Sequence, residues 1–137
     1  MASVEEVHKR ITEVLDEANV SYGNKGERIY IRQGSAVVFI KVESWLNDHA
    51  VVELLCPVLK GLERSPELLE KLDELNRGLF FGKAYTHDHG VWLAHNLLGD
   101  HLDPEELLAA LGLLARVADR IDDELKGRFG GQRFSDG

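Results

Sequence analysis

A chain of 137 residues with 44% hydrophobic and 29% charged side chains has the composition of one compact globular domain, with no room for a second of ordinary size. Its net charge of -8 opposes a polyphosphate backbone, which nucleic-acid-binding proteins meet with Lys and Arg, so nucleic acid is excluded as an expected partner. The single cysteine, Cys56, cannot form an internal disulfide, and its apolar neighbours in ELLCPVL point to a small buried side chain rather than a reactive thiol.

The first stretch, MASVEEVHKRITEVL, is acidic and amphipathic and lacks the basic start and apolar run of a signal peptide, so a cytoplasmic location is expected. Ser3-Val4-Glu5-Glu6 has the form of a capping box. Val4, Val7, Ile11, Val14 and Ala18 then follow at spacings of three and four, which predicts an amphipathic helix of about five turns ending by Gly23. From Arg28 the period becomes strand-like: RIYIRQ, SAVVFIKVES and AVVELLCPVL are rich in β-branched and aromatic residues. The connections Gln33-Gly34-Ser35 and Leu46-Asn47-Asp48-His49 are short enough to demand hairpins. In the second run Ala36, Val38, Ile40 and Val42 share the face better suited to a core. Pro57 removes a donor from the third run, which places that point at an edge or a bulge.

Ser65-Pro66 is a cap followed by a first-turn proline, and Leu68, Leu69, Leu72 and Leu75 line the helix that should follow until Gly78. LFFGKAYT and VWLAHNLL read as two more strands around His87-Asp88-His89-Gly90, with Gly90 expected to supply the positive φ of the turn. Asp103-Pro104-Glu105-Glu106 opens a last helix whose apolar stripe runs from Leu107 through Leu125. Its stretch LLAALGLLARVA is too short to span a bilayer, which needs about 20 apolar residues, so no membrane partner is expected. The expected architecture is α+β: a twisted antiparallel sheet of about five strands with three helices, in the order α-β-β-β-α-β-β-α. A single domain over residues 1–126 and a loose glycine-rich tail over 127–137 complete the expectation.

Four of the six histidines fall between residues 85 and 101. His87 stands at the mouth of the hairpin turn, and His95 lies down the returning strand. The four steps from Val91 to His95 span about 13 Å at ~3.3 Å per residue. Ligands of one zinc ion must come within ~2.0 to 2.3 Å of it, so these rings do not share an ion unless the chain bends. The alternative reading, a metal-dependent enzyme or regulator built on His87, His89 and His95, would need that bend. No glycine-rich phosphate loop, nucleophile elbow, C-x-x-C or H-E-x-x-H is present, so neither catalytic residues nor a cofactor is assigned. Glu105-Glu106 reads as helix capping, and Asp122-Asp123-Glu124 as a solvated helix face.

The bulky apolar residues weigh differently. Trp45-Leu46 sits at a turn, Phe80-Phe81 leads out of the second helix, and Trp92 lies between Val91 and Leu93. Consecutive bulky residues on a strand point to opposite faces, so both faces of the sheet need covering. Helices of the same chain, a second subunit or a bound peptide could each do so.

The element order, the segment LLEKLDELNRGLFFGKAY and the ending LDPEELLAALGLLARVADRIDDEL resemble the YbjN-like proteins and the wider group of type III secretion chaperone-like domains. Leu75-Asn76 followed by Phe81-Gly82 looks like that family's helix-to-strand junction, and the likeness runs from about Ser3 to Leu125. It implies a small acidic α+β domain, usually a homodimer, that binds segments of client proteins without chemistry or nucleotide. Trp45, Leu46, Phe80, Phe81 and Trp92 are the expected contacts, divided between client and dimer partner.

Overall fold

In the computed structural model, which describes residues 3–134, the chain forms α1 (Val4–Glu17), β1 (Gly23–Lys25), β2 (Arg28–Gln33), β3 (Ala36–Trp45), β4 (His49–Lys60), α2 (Pro66–Gly78), β5 (Lys83–His87), β6 (Gly90–Leu98), α3 (Pro104–Phe129) and β7 (Gln132–Arg133). The α+β class and the order of the expected elements hold. Two short strands, β1 and β7, raise the sheet from about five strands to seven. All pairings are antiparallel, in the spatial order β1-β2-β3-β4-β6-β5, with β7 added to β4.

Local chemistry accounts for the boundaries. Ser3 accepts from the Glu6 amide, Ser65 from Leu68, and Asp103 from both Glu105 and Glu106, so each helix starts on a side chain that satisfies an orphan donor. Helix α1 is shorter than its apolar spacing predicts. Asn19 takes a left-handed φ of 57°, and the Val20 amide returns to the Leu15 carbonyl, so asparagine rather than Gly23 ends the helix. The β5–β6 turn also differs from expectation: Asp88 (φ 49°) and His89 (φ 58°) carry the positive dihedrals of a two-residue turn, and Gly90 is the first residue of β6. Strand β5 begins at Lys83, so Phe80 and Phe81 sit in a loop and not on an alternating strand.

Pro57 marks an irregularity in the centre of the sheet. The β4–β6 register shifts between Pro57 and Leu59, and β3 stops pairing with β4 at Phe39–Leu55. Where a loose tail is expected, α3 instead continues through Gly127 to Phe129, and Gln132–Arg133 pair with Lys60 and Leu59. Residues 135–137 of that tail lie outside the described residues.

One core holds the fold. It joins Val7, Ile11 and Leu15 of α1, Leu68 and Leu72 of α2, and the stripe from Leu107 to Leu125 of α3 to one face of the sheet, including Ile29, Ile31, Val38, Ile40, Val52, Leu54, Val91 and Leu93. Ala36, Val38, Ile40 and Val42 are buried on that face, as their spacing predicts. Cys56 is fully buried there, and burial pushes its thiol up to about 12, with Asp119 and Asp122 adding to the effect. No helix among the described residues is long and apolar enough to cross a membrane.

Candidate functional site

The opposite face of the sheet is the candidate site. Alternation along each strand and the cross-strand register place its residues in rows. Tyr30, Phe39, Leu55 and Ala94 align across β2, β3, β4 and β6. Beside them Trp92 pairs with Tyr85 on one side and Pro57 on the other. Lys41, Glu53 and Asn96 make a polar row, followed by Glu43, Val51 and Leu98, and by Trp45 opposite His49. Among the described residues no helix packs on this face. Val37 (5% exposed) and Leu55 (7%) are nonetheless buried, and neither belongs to the helix-covered core. Their large neighbours Tyr30, Phe39 and Trp92 are half-buried, while Tyr85, Leu98 and Trp45 are exposed.

Sequence reasoning reached this face through Trp45 and Trp92 and missed Tyr30, Phe39, Val51, Leu55, Tyr85 and Leu98. A signal was present: Val37-Val38-Phe39-Ile40 is apolar at both parities, which one buried face does not require. A depression of about 380 Å³ lies at the far end, lined by Glu43, Ser44, Trp45, Val51, Glu53 and Asn96. Its walls carry both apolar and anionic groups, and Lys41 is held by Glu43 at 2.8 Å.

The five expected contact residues do not form one cluster. Trp45 is 56% exposed at the end of β3, and Leu46 beside it is 65% exposed with a φ of 52°, a left-handed conformation that costs a leucine energy. Trp92 lies mid-face, with the His87 ring edge-on at 6.4 Å. Phe80 and Phe81 belong to the α2–β5 loop, where Phe80 is 95% exposed and the Phe81 ring lies against that of His95, 5.1 Å between centroids and tilted by 45°.

That loop is built by two side chains. Asn76 at the end of α2 donates its amide to the Ala84 carbonyl (3.0 Å) and accepts from the Ala84 amide (2.8 Å), occupying the outer edge of β5 as a neighbouring strand would. His95 accepts from the Gly82 amide through Nδ1 at 3.2 Å, which requires that nitrogen to be unprotonated. Burial, aided by the positive charge of Lys83, holds the His95 pKa below the ordinary histidine value. The Lys83 ammonium in turn binds the Asn76 and Leu79 carbonyls at the C-terminal end of α2.

The histidines therefore serve separate structures. His95 pins Phe81 and Gly82, His89 offers its carbonyl to Leu62, and His87 borders Trp92. Among the described residues no three or more His, Cys, Asp or Glu side chains are grouped to hold a metal ion. A fourth histidine, His49, closes the other end of the sheet. Its Nδ1 lies 2.6 Å from Asp100, which also accepts from the Ala50 amide at 3.0 Å. The Asp100 hydrogen bond, with the nearby Asp48 charge, raises the His49 pKa, and the same bond lowers that of Asp100.

The signs fix a window for this pair. A histidine raised above its unfolded value of 6.5 adds stability that is complete below that pH and is lost as pH rises through the folded pKa. A carboxylate lowered below 3.8 adds stability present above that pH and lost as pH falls through its folded pKa. The difference in urea midpoint between the parent protein and His49→Asn should therefore be largest between those limits and shrink toward alkaline pH. A difference constant from pH 5 to 9 would assign His49 a packing role alone.

Comparison with known proteins follows the same outline. No curated protein sequence matches the chain. Among solved structures it is similar to YbjN from E. coli, with a TM-score of 0.60 and 11% sequence identity over 88% of this chain and 91% of that one, a likeness of fold. The model of the family described as T3SS (YopN, CesT) and YbjN peptide-binding chaperone 1 matches residues 2–137. That match runs over nearly the whole chain, and the chain belongs to that family of peptide-binding chaperones.

Proposed function

We propose that the protein is a non-catalytic, chaperone-like module that works as a homodimer and holds a segment of a client protein against apolar surface. The observation that carries this reading is the uncovered sheet face, where Val37 and Leu55 are buried outside the main core beneath aromatic side chains still open to solvent. An apolar face of this kind gains ~25 cal/mol per Å2 of area removed from water, before ordering costs. Trp45, Leu46 and Trp92 act at this face with Tyr85 and Leu98. Phe80 and Phe81 make a second contact on the α2–β5 loop. The family supports a binding role rather than an enzymatic one.

Phe80 and Leu98 make the cleanest test, because at 95% and 55% exposure they contribute little to folding. Light scattering over a concentration series should give a dimer mass for the parent protein and a monomer mass for Leu98→Lys, with an unchanged urea midpoint. A random-peptide selection should yield extended apolar ligands that lose at least tenfold in affinity on Trp92→Ala. A parent protein that stays monomeric and selects no ligand would overturn the reading. Phe80→Ser with neither mass nor binding altered would remove the loop from the contact surface.

A further inference from the structure

We infer that the edge of β4 at Leu59 and Lys60 is a strand-addition slot for an extended peptide that carries an arginine followed by an aromatic residue, and that residues Gln132–Phe134 of the chain are its built-in occupant. Its arginine subsite lies on the α3 side of the sheet, at Asp122 and Asp123, and none of Trp45, Leu46, Tyr85, Trp92 and Leu98 takes part in it.

The opening arises at Pro57. Pairing between β3 and β4 ends at Phe39–Leu55, and proline offers no amide to continue the ladder. Beyond it, Leu59 and Lys60 pair with β6 on one side and with Arg133 and Gln132 on the other. Strand β7 thus fills the position β3 has left, with two residue pairs. It reaches that position through Gly130 and Gly131, both at positive φ. A side chain at Gly131 would lie 2.7 Å from Leu62 Cδ2 and 3.0 Å from the Lys60 carbonyl oxygen, so the approach admits glycine only.

The occupant's side chains match what the slot presents. Asp122 of α3 is only 7% exposed, and a buried carboxylate demands a cation. Arg133 supplies it, with Nε 3.3 Å from Asp122 and Nη2 on Asp123, while Asp119 is engaged by the Ser35 hydroxyl. Next in the chain, the Phe134 ring lies beneath the Lys60 ammonium at 5.9 Å and remains 39% exposed. Backbone pairing provides affinity, the paired aspartates select a forked cation, and Lys60 selects an aromatic ring after it. A tethered occupant competes at an effective concentration of ~1 mM, so a segment supplied in trans binds well once the tether's own arginine is weakened.

The test uses the full chain and an amidated, fluorescein-labelled GGQRFS peptide followed by anisotropy. Arg133→Ala protein should bind the peptide at least tenfold more tightly than the parent. The same peptide with alanine for arginine should bind at least tenfold more weakly, as should the parent peptide to Arg133→Ala protein that also carries Asp122→Asn. Equal affinity of parent and Arg133→Ala proteins, or indifference to the peptide's arginine, would overturn the slot. The parent protein gives an independent reading that needs no substitution. Excess peptide should move its Gln132 and Arg133 amide resonances to unstructured positions while the Lys60 amide stays protected, and resonances unmoved at millimolar peptide would overturn the inference.

Discussion

Replacing Gly90 by alanine should destabilise the protein by about 3 kcal/mol, one of the largest effects of any single methyl group in the chain. A Cβ at Gly90 would stand 2.6 Å from the Leu59 carbonyl oxygen, closer than any real contact. The obstacle is backbone, not a side chain that can swing away. It also lies at the irregular end of β4, where Lys60 pairs with Gly90 and the Leu62 amide bonds the His89 carbonyl. Moving Gly90 outward would break both β4–β6 pairing and that turn contact. For a domain of this size ~1 kcal/mol corresponds to roughly 4 °C, so the melting temperature should fall by about 12 °C. Gly112→Ala is the control. Nothing lies within 4 Å of its added Cβ, and a helix interior gains up to ~1 kcal/mol from that exchange, so its melting temperature should rise. A Gly90→Ala protein as stable as the parent would mean that β4 and β6 separate at this point without cost.

Asn76→Ala should cost a further comparable amount, about 2 to 4 kcal/mol. The substitution removes both hydrogen bonds to Ala84 and leaves a part-buried amide and carbonyl of the edge strand without them, each worth ~1 to 3 kcal/mol when orphaned. Hydrogen exchange locates the effect. The Ala84 amide should lose protection far more than amides of the central strands, because among the described strands β5 pairs with β6 alone and depends on Asn76 for its outer edge. Asn76→Asp retains an acceptor for the Ala84 amide but sets a carboxylate oxygen against the Ala84 carbonyl, so it should rescue little. Uniform loss of protection through the sheet would instead show that α2 and β5 do not open separately from the core.

The resemblance at Leu75-Asn76 and Phe81-Gly82 now has a physical content. Asn76 brackets β5, and Gly82, at φ 87° with Leu93 and Leu114 side chains 3.0 to 3.1 Å from its absent Cβ, lets the loop pass over the core. Phe81 is held beside them by His95. The residue types at this junction are legible as a pattern, but the bonds they make join elements eight to thirteen residues apart. Spacing alone does not specify such partners.

Much of the architecture was carried by local signals. Capping side chains at Ser3, Ser65 and Asp103, the three-and-four spacing of the helices and the two-residue period of β2, β3 and β4 act within a few residues, so a linear reading captures them. The widely separated roles of the histidines were partly legible for the same reason, since strand rise sets a distance along one element. What only the tertiary structure decided depends on contacts between distant segments. The three residues of β1 and the two of β7 have too little pattern to announce a strand, and both exist because a neighbour offers a ladder. The apparent solvated run Asp122-Asp123 became a partly buried anchor because Arg133 folds back onto it. The uncovered face became recognisable once register aligned Tyr30, Phe39, Leu55 and Ala94 and all the described helices packed on the other side. Periodicity states that a strand has two faces; which of them is left without a helix follows from where the connections between strands run.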